Sequence, residues 1–195
     1  MTVTDRPAIP ASRFADRLER AAAATEAAGL GAMLVAVGSD LRYLTGYEAI
    51  PLKRLTVLVL APGREPVLIA PRLELGAAEA GLRTPVEIRT WDETDDPYAL
   101  AVAGLPAAGS VAVSDTMLAL HLLRFQATLD AATVYVPAST VLSELRMVKD
   151  ADEIALLRAA AKAADRVVAA IAADRLVGRT EDDVAREVRE RLIEE

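Results

Sequence analysis

Apolar positions along the chain follow two periods in alternation, and together they predict a helix-and-strand domain. From Ser12 to Ala28, Phe14, Leu18, Ala21 and Thr25 share one helical face, with Ser12 as the expected N-cap and Gly29 at the C-terminal stop. The run Ala32–Val37 is apolar on both alternating sets, which predicts a strand covered on both faces. Gly38-Ser39-Asp40 punctuates, Leu41 to Thr45 makes one short helical turn, and Gly46 ends it. Thr56–Leu60 and Val67–Ala70 flank the turn cluster Pro62-Gly63-Arg64-Glu65 and read as a hairpin. Arg72 to Ala80 is helical up to Gly81, and Val86–Arg89 alternates as a half-exposed edge strand should. Asp96-Pro97 is a cap followed by proline at the first helical position. Ser110–Val113 and Val134–Val136 are short strands, with a helix over Thr116–Leu129 between them. The expected fold class is therefore α/β, a mixed β-sheet flanked by helices.

Near Lys149 the pattern changes to charged helix without strand signal. Ile154, Leu157, Ala161, Ala164, Val168 and Ile171 recur every three or four residues and predict a narrow apolar seam. Leu176-Val177-Gly178 interrupts it, and Thr180 with Asp183 has the form of a capping box opening a second helix. That helix reaches Glu195 still in phase. Two amphipathic helices with little to bury them are expected to be the start of a truncated second domain. A two-helix tail packed on its own domain or on a dimer mate is the competing reading.

The chain has 195 residues, 22 Lys+Arg and 29 Asp+Glu, hence a net charge of −7, which disfavours a nucleic-acid surface. Cysteine is absent, so disulfides, zinc–thiolate sites and cysteine nucleophiles are excluded. No apolar run approaches the roughly 20 residues that span a bilayer, and the first residues lack the apolar core of a secretory signal. The expectations are a cytoplasmic protein without membrane or nucleic-acid partners and a flexible tail over residues 1–11.

Three stretches carry a resemblance. Asp40-Leu41-Arg42-Tyr43-Leu44-Thr45-Gly46-Tyr47 is similar to the "YLTGF" element of the pita-bread metallohydrolases: prolidase, Xaa-Pro aminopeptidase (aminopeptidase P) and creatinase. Lys53-Arg54-Leu55 leads into the hairpin, which closes on Pro71-Arg72-Leu73-Glu74. Leu145-Arg146-Met147-Val148-Lys149-Asp150-Ala151-Asp152-Glu153-Ile154 resembles the family's "LRxVKxxxEIxxLRxA" junction and continues as Leu157-Arg158-Ala159-Ala160. The resemblance implies a creatinase/prolidase-type N-terminal domain over residues 12–146, then a linker and the first helices of an incomplete pita-bread domain over 147–195. It also implies a homodimer whose N-terminal domain restricts access to a metallopeptidase site, so that short proline-containing peptides enter. In the family two divalent ions (Mn, Co or Zn) are held by two Asp, one His and two Glu and supply a bridging hydroxide. The resemblance places all five ligands beyond Glu195, so this chain is expected to bind no metal, to hold no catalytic residue and to be inactive alone. A creatinase- or ectoine-hydrolase-like amide hydrolase and a non-catalytic protein-interaction module are the alternatives.

Tyr43, Tyr47, Lys53 and Arg54 flank an irregular segment and are the candidates for a substrate mouth. Arginine suits a bidentate carboxylate contact and tyrosine a wall against proline. The competing reading makes the tyrosines packing residues and puts Arg54 in a structural ion pair. Arg146, Lys149 and Glu153 are candidates for fixing the domain junction, with an i,i+4 pair available between the last two. His121 is the only histidine and, without neighbouring ligands, reads as structural or surface-exposed. The acidic run Asp92–Asp96 lacks the spacing of a calcium loop and reads as an exposed loop whose Asp96 caps the next helix.

Overall fold

The computed structural model describes residues 7–106 and 109–195. The tail expected over residues 1–11 lies outside the described residues as far as residue 6. The described residues divide into two compact units, residues 10–148 and residues 149–195, the latter grouped with residues 7–9.

The first unit contains α1 (Ala11–Ala27), β1 (Ala32–Ala36), α2 (Ser39–Thr45), β2 (Val57–Leu60), β3 (Val67–Pro71), a 3-10 turn (Arg72–Glu74), α3 (Leu75–Gly81) and β4 (Glu87–Trp91). It continues through α4 (Pro97–Val102), β5 (Ser110–Val113), α5 (Ala119–Thr128), β6 (Val134–Pro137) and α6 (Ser139–Met147). Among the described residues six strands form one sheet in the order β4-β3-β2-β1-β5-β6. The expected hairpin is the antiparallel β2–β3 pair, and β1 also runs antiparallel to β2. The pairs β3–β4, β1–β5 and β5–β6 are parallel, so the sheet is mixed, with β4 as the expected edge strand.

All five residues of β1 are buried, as continuous apolarity requires of a strand covered on both faces. Met33 and Val35 face Leu18 and Ala21 of α1, Leu41 and Leu44 of α2, and Leu142 of α6. Ala32 and Leu34 point the other way, toward Ala101 of α4, Phe125 of α5 and Trp91. Each fully buried leucine in such a layer contributes about 1.5–3 kcal/mol of transfer free energy.

Several boundaries differ from expectation. Ser12 is not the N-cap of α1: Pro10 holds that position without a side-chain hydrogen bond, and its fixed backbone starts the helix instead. Gly29 does occupy the left-handed position after α1, at φ 67°. The helix expected over Arg72–Ala80 is a 3-10 turn followed by α3, and α5 begins at Ala119. Asp96 caps α4, accepting from the Tyr98 and Ala99 amides at 2.9 and 3.1 Å. The sequence pattern did not foresee α6, whose Val141, Leu142 and Leu145 are buried in the core.

The second unit pairs α7 (Ala151–Ala173) with α8 (Glu181–Glu194). Asp150 and Glu153 close a capping box on α7, and Thr180 and Asp183 close the expected one on α8. The expected seam is found in part. Ile171 is buried as expected, with Val167 beside it, while Val168 and Leu157 are exposed at 66% and 56%. Among the described residues no helix is long and apolar enough to cross a membrane.

Candidate functional site

The carboxyl ends of β1, β3 and β4 gather the segments that the sequence marks as informative, at the edge of an open sheet where α/β folds place their ligands. Beyond β1, α2 presents Tyr43, whose hydroxyl donates to the Leu145 carbonyl at 2.8 Å. The Arg17 guanidinium lies 4.2 Å from the centre of the Tyr43 ring and 5.4 Å from that of Phe14, and donates to the Tyr43 carbonyl at 3.1 Å. Arg17 is 4% exposed, so this cation is held by aromatic faces and a carbonyl in a largely dry setting, where such contacts are strongest. Arg146 from α6 pairs with Asp40, reaches Ser39 Oγ at 3.4 Å and covers the outer side of the Tyr43 ring. Tyr43 thus fastens α1, α2 and α6 together.

The segment after α2 is fixed at both ends. Gly46 adopts φ 78°, a left-handed turn in which Cβ is strained, and its amide closes the helix on the Arg42 carbonyl at 2.8 Å. Tyr47 is 4% exposed, and its ring lies so close to Gly81 that a Cβ there would meet Cδ2 at 2.4 Å. Burial, and secondarily Glu74, pushes the Tyr47 hydroxyl above its ordinary pKa. Ile50, Leu52 and Lys53 are exposed, and Arg54 pairs with Glu93 at 2.7 Å. The Leu55 carbonyl accepts from the Trp91 indole at 3.0 Å.

The acidic run lies beside this segment and is spoken for. Asp92 takes both oxygens to Arg72 Nε at 2.8 and 2.9 Å, Glu93 binds Arg54, Asp95 accepts the Asp92 amide at 2.7 Å, and Asp96 caps α4. Hydrogen bonding to Arg72 holds the Asp92 carboxyl below the usual range.

His121 was read as structural or surface-exposed, and it is buried. It is 5% exposed in α5, with Nδ1 2.9 Å from the Tyr98 hydroxyl. Tyr98 in turn meets Phe125 edge-on at 5.2 Å. Burial pulls the imidazole pKa below its ordinary value, and the nearby Leu52 backbone acts in the opposite direction. The histidine therefore packs between Tyr98 and the α5 core with its charged form disfavoured.

Of the expected junction residues, Arg146 is anchored on Asp40, Glu153 accepts the Asp150 amide at 2.9 Å in the α7 capping box, and Lys149 is exposed just before that cap. Arg17 and His121 were not singled out as site residues by the sequence reading. Arg17 left a signal, because it shares the buried face of α1 with Phe14, Leu18 and Ala21. A charge on an apolar stripe marks either a partner or a site.

The donor set for a metal can be tested directly. Among the described residues no group of three or more His, Cys, Asp or Glu side chains is arranged to hold an ion. These residues do not fit the two-metal centre that the resemblance implies, and no chemical step is derived through one.

A family profile described as the creatinase/prolidase N-terminal domain matches residues 17–148. The chain belongs to that family. "Probable dipeptidase PepE" of Mycobacterium tuberculosis is 43% identical over 189 residues, which is 93% of this chain and 49% of that protein. The crystal structure of dipeptidase PepE from Mycobacterium ulcerans superposes with a TM-score of 0.81 at 42% identity, over 95% of this chain and 50% of the other. Recombinant prolidase from Thermococcus sibiricus gives 0.82 at 28% identity, over 92% and 49%. The chain thus spans about half the length of the curated relatives it matches. For a creatinase/prolidase N-terminal domain, the mixed sheet and its flanking helices are the shared scaffold.

Proposed function

We propose that the chain is the amino-terminal portion of a prolidase-type dipeptidase, acting in the cytoplasm on short peptides next to proline, and that it is inactive by itself. Residues 12–146 serve in dimerisation and in restricting access to the reaction site, and residues 147–195 begin the catalytic domain. The observation that carries this reading is the likeness to dipeptidases along nearly the whole of this chain but only half of theirs. The family resemblance implies two divalent ions for the complete enzyme.

Within this reading Lys53 and Arg54 are the cations offered to a peptide carboxylate: Lys53 is exposed, and Arg54 would exchange its Glu93 partner for the ligand, on a segment whose Leu55 carbonyl is held by Trp91. Tyr43 and Tyr47 shape the mouth from beneath by holding α2 and its exit in place. Arg146 and Glu153 fix the chain on either side of the junction.

The test is hydrolysis of an Xaa-Pro dipeptide by the 195-residue chain with manganese or cobalt added. No release of amino acid is expected. Stoichiometric turnover above a metal-only control overturns the reading.

A further inference from the structure

The outer edge of β4 combines an unpaired strand with a charge pattern that complements itself. Among the described residues no strand pairs with its far side. Its alternate residues look into two clefts on opposite faces of the sheet. Glu87 and Arg89 line one of about 300 Å³ beside α4, and Val86, Ile88 and Thr90 line one of about 730 Å³ beside α3. Glu87 and Arg89 lie exposed on the same side, and Arg89 binds both oxygens of Glu87 at 2.7 and 3.2 Å. Charged side chains on an edge, lysine above all, oppose pairing unless the incoming strand brings their complement. This one carries one charge of each sign, placed symmetrically about Ile88.

We infer that β4 is the face through which two copies of this chain associate, as an antiparallel pair centred on Ile88; this rests on the self-association proposed above and names its surface. A two-fold axis through Ile88 sets Glu87 opposite Arg89 of the second copy and Arg89 opposite its Glu87. It also sets Val86 opposite Thr90, two β-branched residues, and Ile88 opposite itself. The symmetry is isologous and closed, so pairing stops at a dimer. The two intrastrand Arg89–Glu87 pairs, one per copy, are exchanged for two across the interface, and the gain is that the free backbone groups of both edges find partners. A peptide ligand would have to carry the same alternating sequence, and this strand already does.

The test is the mass of the 195-residue chain by sedimentation equilibrium across concentration, at low and high salt. Wild type is expected to dimerise, less strongly at high salt. Arg89→Glu and Glu87→Arg each place like charges opposite one another and weaken the dimer by about tenfold or more. Glu87→Arg/Arg89→Glu restores it. Mixing the two single variants yields a heterodimer, because each then faces its complement. Circular dichroism melts matching wild type exclude misfolding at these exposed positions. A dimer untouched by either substitution overturns the β4 face while leaving self-association standing, and a strict monomer overturns both. Neither measurement reads dipeptide hydrolysis, so the outcome is separate from that of the functional reading.

Discussion

In residues 10–148 the side chains of Met33, Leu34, Leu58, Leu68 and Phe125 are entirely shielded from solvent, whereas in residues 149–195 Val167 and Ile171 are the buried ones and α8 buries none among the described residues. Both regions are rich in apolar residues, so apolar content does not separate them. Layering does. A strand with apolar residues on both alternating sets can be closed by helices above and below, and β1 is. A pair of helices offers one shared line, and the remaining apolar positions, such as Leu157, Val168, Leu192 and Ile193, stay exposed. The helical region instead carries ion pairs: Arg191 with Glu187 and Asp174, Arg179 with Glu187, and Arg166 with Glu195. Exposed pairs of this kind add little stability, so burial is the better measure of each region's contribution.

The largest expected effect sharpens that contrast. Leu34→Ala removes a side chain with 0% exposure from a strand packed on both faces and should cost about 2–5 kcal/mol. Leu157→Ala, at 56% exposure on a helix where both residues are good helix formers, should cost about 0.5 kcal/mol or less. Denaturant unfolding followed by Trp91 fluorescence and by helical circular dichroism compares the two. Equal losses would mean that the exposed leucine is covered in solution and would break the contrast.

The same division decides what the sequence could reveal. The hairpin, the doubly covered β1, the edge strand β4 and the Asp96 and Thr180–Asp183 caps each depend on residues close together in the chain, and each is found. The features that escaped depend on distance. Tyr43 and Leu145 are 102 positions apart, Asp40 and Arg146 are 106 apart, and Tyr98 and His121 are 23 apart, so no local pattern announces these bonds. Val167 rather than Val168 is buried, which the three- and four-residue period of α7 alone does not reveal. The helix α6 is short and runs directly into the junction stretch, so Val141, Leu142 and Leu145 show helical spacing over too few turns to stand out.

Helix caps offer an intermediate test, since both regions have one of the same kind. Asp96→Ala and Asp150→Ala each remove a carboxylate that accepts backbone amides at the start of a helix, and each should cost about 0.5–2 kcal/mol. Asp150 is also matched by Glu153, which returns a bond to the cap amide at 2.9 Å. Unfolding free energies from circular dichroism measure both. A silent Asp150→Ala would show that the start of α7 contributes nothing to folding, and it would deepen the contrast beyond what burial explains.

The smallest effect belongs to one region alone, because the single histidine lies in α5. His121 is buried against Tyr98, and burial holds its folded-state pKa below the ordinary value. Above an ordinary pKa of about 6.5 the ring is neutral in both folded and unfolded chains, so its full contribution is present there. As the pH falls below that value the unfolded chain takes up a proton that the folded chain refuses, and stability declines until the depressed folded pKa is reached. Tyr98 does not confuse the reading, because burial raises its own pKa. Asp115, bonded to Ser139, is held below the carboxylate range and titrates lower still. Between pH 7.5 and 5.5, wild type should therefore lose more stability than His121→Gln, which keeps a neutral polar side chain but cannot titrate. Trp91 fluorescence should report the difference, since the indole bonds the Leu55 carbonyl on the same segment as Leu52. Parallel pH dependences for the two proteins would remove His121 as the source of that loss.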